Sequence, residues 1–181
     1  MMEPGRRAAS EQQDQGHQVA QELLSMGDLE QAAANYESAI RTYRRALETE
    51  VTQSEKAKGL KGIGSCLERI GRWKEAQNVL EDAAVAAGEA KDDLELGRIL
   101  FKLGKIQLGR GATEAALDYG HKALDLIDPK EDPSSHGFVL NLLGYAHNRR
   151  GDLEKSTECF EAALSAFKGA GDIRSLALSY N

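Results

Sequence analysis

A register of about 40 residues runs through this chain and constrains its fold more than any other feature. Four stretches open on a glycine: Gly27-Asp28-Leu29-Glu30, Gly71-Arg72-Trp73-Lys74-Glu75, Gly111-Ala112-Thr113-Glu114 and Gly151-Asp152-Leu153-Glu154, spaced by 44, 40 and 40 residues. Five residues after each glycine stands a small side chain (Ala32, Ala76, Ala116, Ser156), and twelve residues after it another (Ala39, Ala83, Ala123, Ala163). Nine residues after it come Tyr36, Leu80, Gly120 and Phe160, large in three of four. Upstream, Ile63-Gly64, Leu103-Gly104 and Leu143-Gly144 recur behind Leu60, Leu100 and Leu140, with Val19-Ala20 taking their place in the first repeat. A period in this range marks a stacked array in which no repeat buries its apolar face alone.

The columns translate into helices. A leucine followed three residues later by another aliphatic residue draws an apolar stripe along one helix face. A glycine inside that helix costs about 1 kcal/mol relative to alanine, so its recurrence at 64, 104 and 144 calls for a packing reason: a notch for a second helix. Each repeat therefore reads as a helical hairpin, with helices expected over 17–26, 28–49, 52–70, 73–90, 93–109, 112–127, 134–149, 153–169 and 173–181. The polar segment 1–16 lacks periodicity and is expected as a disordered tail. Residues 17–181 form the array, in repeats of about 17–50, 51–90, 91–130 and 131–170 with a partial fifth over 171–181. The chain ends before the apolar-glycine pair due next, and Leu176, Leu178 and Tyr180 make a poor polar cap, so a longer array is expected.

These residues resemble the tetratricopeptide repeat (TPR) superfamily. In the second repeat the matching positions are Leu60, Ile63, Gly64, Leu67, Gly71, Ala76, Leu80 and Ala83; in the fourth they are Leu140, Leu143, Gly144, Gly151, Phe160 and Ala163. The longer period resembles the 40-residue class of LGN-type regulators and bacterial signalling arrays. The resemblance implies an all-α, right-handed α-solenoid of stacked helix-turn-helix repeats whose first helices line a concave groove. By register the groove positions are Lys58, Lys61 and Ser65 in repeat two, Arg98, Phe101 and Lys105 in repeat three, and Phe138, Asn141 and Tyr145 in repeat four. The expected peptide-binding residues are thus Lys58, Lys61, Arg98, Phe101, Lys105, Phe138, Asn141 and Tyr145. The helix over 97–110 carries Arg98, Lys102, Lys105 and Arg110 without an acid, on a chain of net charge −6. An acidic peptide is the partner such a strip suits.

Other classes find little support. His17, His121, His136 and His147 show no metal-ligand spacing, so neither a metal nor another cofactor is expected. His147 reads as a surface residue, Cys66 as core and Cys159 as partly buried. Gly109-Arg110-Gly111-Ala112 lacks the Gly-Lys-Ser/Thr of a phosphate loop. An enzyme is not expected. A pI near 5.3 argues against nucleic acid, and no apolar run is long enough for a membrane span. Two cysteines fit a reducing compartment, hence a cytoplasmic protein. The expected function is a scaffold that binds a partner peptide in the groove. The alternative is a sensory or regulatory module of a larger signalling protein. Neither partner identity nor oligomeric state is written in the sequence.

Overall fold

The computed structural model describes residues 4–171, with side chains from Gly16 onward. Its described residues form helices and no strand: α1 (Pro4–Ala32), α2 (Tyr36–Leu47), α3 (Gln53–Arg69), α4 (Trp73–Ala90), α5 (Asp93–Gly109), α6 (Thr113–Leu126), α7 (Pro133–Arg150) and α8 (Leu153–Ala170). From α3 onward every boundary lies within a residue of expectation. The partial fifth repeat over 172–181 lies outside the described residues. The chain divides into two compact units, Met1–Asp92 and Asp93–Asn181. Hairpins α1–α2 and α3–α4 belong to the first, α5–α6 and α7–α8 to the second.

Three hairpins turn on glycine. Gly71, Gly111 and Gly151 have φ of 81°, 82° and 88°, a left-handed conformation that a Cβ disfavours. The first hairpin departs from the expected register. Gly27 lies inside α1, so the single helix α1 replaces the expected break at that residue, and the chain turns at Ala34 with φ 60°. Counted from Ala34, the small-residue offsets are those of the other repeats: Ala39 and Ala46 are fully buried, as are Ala76, Ala83, Ala116 and Ala123. Gly27 thus joins Gly64, Gly104 and Gly144, each seven residues before its turn, and Met26-Gly27 rather than Val19-Ala20 holds the apolar-glycine place. The first spacing is 37 residues rather than 44. An alanine turn carries no sequence signal, and the nearest Gly-Asp pair mimicked one. α1 also runs through residues 4–16, where Arg6, Ala8, Ala9, Glu11 and Gln12 favour helix although no apolar stripe marks it.

The notch glycines do what their period implies. A Cβ on Gly64 would sit 2.6 Å from Leu80 Cγ, on Gly144 2.7 Å from the Phe160 ring, and on Gly27 2.6 Å from the Tyr43 ring. In the first unit Tyr43 is clasped on two sides, since a Cβ on Gly62 of α3 would come within 2.5 Å of the same ring. Its hydroxyl donates to Asp28 Oδ1 at 2.6 Å, with Gln31 Oε1 at 3.1 Å. Burial, and then the Asp28 carboxylate, push this phenol well above its ordinary range. α3 begins with a capping box: Thr52 Oγ1 accepts from the Glu55 amide, and the Glu55 carboxylate accepts from the Thr52 amide at 2.8 Å. Such a cap is worth about 1 kcal/mol.

In the second unit Ile99, Leu103, Ile106, Ile127, Val139 and Leu143 are almost fully buried. Each contributes about 1.5–3 kcal/mol of burial, before chain entropy is counted against it. α7 starts where Asp132 caps it, accepting from the Ser135 amide at 3.0 Å, with Pro133 in the first turn. Asp132 also accepts from Arg98 of α5, and α5 and α7 build the site.

Candidate functional site

Residues spaced three, four and seven apart on a helix share one face. Phe101 and Lys105 on α5, and Phe138, Asn141 and Tyr145 on α7, are such sets. They converge on one open cavity of about 670 Å³, completed by Leu108, Gly109, Leu142 and Arg149. Five of the eight expected site residues therefore line a single cavity within the second unit.

The rings form a stepped wall. Phe101 and Phe138 lie 6.1 Å apart, Phe138 stands edge-on to Phe167 at 5.1 Å, and Tyr145 edge-on to Phe160 at 5.0 Å. Phe167 and Phe160 belong to α8, so the second helix of the hairpin braces the α7 rings from behind. Tyr145 is 51% exposed although its ring packs against Phe160. Lys105 Nζ sits 6.0 Å from the centre of the Phe101 ring, close enough for a cation–π contact. Arg149 donates through Nη1 to the Leu108 carbonyl, one of the acceptors that the end of α5 leaves without an intrahelical partner. The cavity thus has an apolar, largely aromatic floor with a lysine and an arginine at its rim and one amide, Asn141.

The other three expected residues fall elsewhere. Arg98, on the α5 turn before Phe101, is bound to Asp132: Nε donates at 3.0 Å and Nη2 at 2.6 Å to Oδ2. Its Nη1 also approaches Glu95 Oε2 at 3.7 Å. Burial works against the charge on Arg98, but Asp132 and Glu95 outweigh it and strengthen its hold on the proton. Burial likewise raises the Asp132 carboxyl, yet Ser135 and Arg98 together bring it below its ordinary value. Arg98 is a strut between α5 and the start of α7. Lys58 and Lys61 lie on α3 in the first unit, the former exposed and the latter half-buried.

Leu108, Leu142 and Arg149 were not among the expected residues. Arg149 follows Tyr145 by one helical turn, so the ring's own helix face was the available signal. Leu142 stands at the register of Gly62 and Lys102, which concealed it. His147 is corrected: it is buried, with Nδ1 3.5 Å from Asp152 Oδ2 and 3.3 Å from Arg150 Nη2. It occupies the register of Leu67, a packing position. Cys66 is fully buried, as expected. Cys159 is half-buried, and burial followed by the neighbouring Glu158 pushes its thiol up, away from reactivity. Among the described residues no cluster of three His, Cys, Asp or Glu is placed to hold a metal ion, and no helix is long and apolar enough to cross a membrane.

The same architecture occurs in known proteins. The chain is similar in structure to aspartyl phosphate phosphatase F from Bacillus subtilis, with a TM-score of 0.79, 17% identity, and coverage of 89% of this chain and 43% of that one. It is similar to the Rap conjugation gene regulator of the plasmid pLS20 in complex with the Phr peptide (TM-score 0.80, 17% identity, 90% of this chain, 45% of that one). It also resembles BtubC from P. vanneervenii (0.71, 18% identity, 96% and 82%). The chain spans less than half the length of the phosphatase and of the Rap regulator. No curated protein matches it in sequence. Two family models, both described as tetratricopeptide repeat, match residues 55–128 and 139–168, α3 to α6 and α7–α8. These matches cover more than half of the chain, three of whose hairpins combine a notch glycine with a glycine turn, and the chain belongs to the tetratricopeptide repeat superfamily.

Proposed function

We propose that this protein is a non-enzymatic interaction module that holds a segment of another protein against α5 and α7. The observation that carries this reading is the open cavity of about 670 Å³ whose aromatic wall carries a half-exposed tyrosine. Phe101, Phe138 and Tyr145 are suited to anchor a bulky side chain of the partner, since aromatic-lined, desolvated contacts supply most of the energy of an interface. Lys105 and Arg149 at the rim orient an acidic group and raise the rate of encounter. Asn141 is the amide in the lining suited to bond the partner's backbone. A Rap conjugation gene regulator of the same fold in complex with a peptide gives the reading further support. The two free cysteines suit a reducing, cytoplasmic setting.

A second reading makes the array the sensory or regulatory part of a larger signalling protein. It draws on the likeness to the Rap conjugation gene regulator, of which the chain covers under half. Both readings need the same cavity.

Selection from a displayed library of random peptides tests the proposal. Selected peptides are expected to be enriched in an acidic residue next to a bulky apolar one. Their affinity should fall on Tyr145→Ala and Lys105→Glu but not on Val85→Ala, an exposed residue of α4. Peptides equally indifferent to all three substitutions would remove the cavity as the site.

A further inference from the structure

Three hairpins fill their notch glycine from their own second helix: Tyr43 at Gly27, Leu80 at Gly64 and Phe160 at Gly144, each sixteen residues on. In the third hairpin the residue sixteen positions after Gly104 is Gly120, which has no side chain to offer. Leu142 of α7 enters instead. A Cβ on Gly104 would lie 2.6 Å from Leu142 Cδ2, and one on Gly120 would lie 3.8 Å from the same methyl. Leu143 lies directly over Gly120, where a Cβ would meet its Cδ2 at 2.6 Å. Both leucines are nearly sealed, 3% and 1% exposed. Leu142 is also part of the cavity wall.

We infer that Gly120, a residue of α6 outside the cavity lining, is a specificity-determining position for the pocket. By leaving the Gly104 notch unfilled, it lets Leu142 retract from the cavity and sets the depth available to a bulky apolar side chain of the partner. Packed interiors hold few voids, so a side chain at position 120 competes with Leu143 and Leu142 for the same volume. Leu142, expelled from the notch, moves into the cavity it already lines. The inference rests on the binding reading proposed for this cavity.

Gly120→Leu restores in α6 what Leu80 supplies in α4, and Gly120→Ala is the milder form to use if the leucine variant does not fold. In methyl-labelled wild-type protein an NOE is expected between a Leu142 δ-methyl and the Gly104 α-protons. In the Gly120 variants it should give way to NOEs from Leu142 to the Phe138 and Tyr145 rings. Anilinonaphthalene sulfonate, an aromatic anion matched to the rings and rim cations, serves as the binding probe. Its affinity should fall roughly tenfold or more in Gly120→Leu, as changes of a methylene or two in an apolar pocket do. It should rise in Leu142→Ala, which opens the cavity into the notch. An unmoved Leu142–Gly104 NOE, or unchanged dye affinity at a site that Tyr145→Ala weakens, overturns the inference alone. Dye affinity indifferent to Tyr145→Ala and Lys105→Glu removes the binding reading, and the inference with it.

Discussion

Tyr43 and Tyr145 show how one repeat architecture puts an aromatic ring to opposite uses. Tyr43, on a second helix of the first unit, lies between two glycines, is 1% exposed and has its hydroxyl bound to Asp28. Tyr145, on a first helix of the second unit, touches Phe160 with one edge and leaves half its surface in solvent. The difference follows from helix position. The ring of Tyr43 is received by glycines on α1 and α3, whereas Tyr145 lies one residue past the notch glycine of α7, rests on Phe160 of α8 and faces the cavity. Tyr43 fills a notch and is core; Tyr145, beside a notch, keeps half its surface in solvent.

The comparison breaks most sharply on truncation. Tyr43→Ala should cost about 3–5 kcal/mol, as removal of a buried aromatic ring does, and Tyr145→Ala well under 1 kcal/mol. Chemical denaturation of the two variants measures both, and equal losses would erase the distinction between core and surface rings.

Overpacking sharpens the point about notches. Gly104→Leu should cost on the order of 1–3 kcal/mol because its side chain must displace Leu142. Gly109→Ala, on the same helix with nothing within 4 Å of a Cβ, should be neutral or stabilising by up to about 1 kcal/mol. Melting temperatures moving in the same direction by the same amount would contradict the assigned register.

The Arg98–Asp132 strut is the next smaller effect. Asp132→Ala removes both the α7 cap and the ion pair and should cost about 1–2 kcal/mol, mostly through the cap, since the guanidinium is partly solvated. The folded carboxyl lies below its ordinary value of 3.8, so its contribution is present in full above that pH and is lost as pH falls through the lower folded value. Stability curves of wild type and Asp132→Ala should therefore be separated near neutrality and converge below about pH 4. Curves that stay parallel to pH 2 would show that the carboxylate's charge contributes nothing.

Most of the helical pattern was legible because glycine leaves a trace wherever a backbone turns left or another side chain comes close. The 40-residue columns located six of the helices to within a residue. They failed at the first hairpin, where Ala34 performs the turn without any sequence mark and Gly27, a notch, looked like one. For the site, register alone brought Phe101, Lys105, Phe138, Asn141 and Tyr145 together. It misread Arg98, because a basic residue on the right face says nothing about an acid 34 residues away at the start of another helix. It passed over Leu142, whose placement depends on the absence of a side chain at Gly120, a tertiary effect no column records.

Hydrogen exchange with a library-selected peptide bound tests most directly whether binding is confined to α5 and α7. Slowed exchange is expected at the last turns of α5 and α7, over 105–109 and 145–150, where amides depend on helix ends that the partner would stabilise. α1 to α4 should exchange as in the free protein. Protection centred on α3, around Lys58 and Lys61, with 105–109 and 145–150 unchanged, would contradict it.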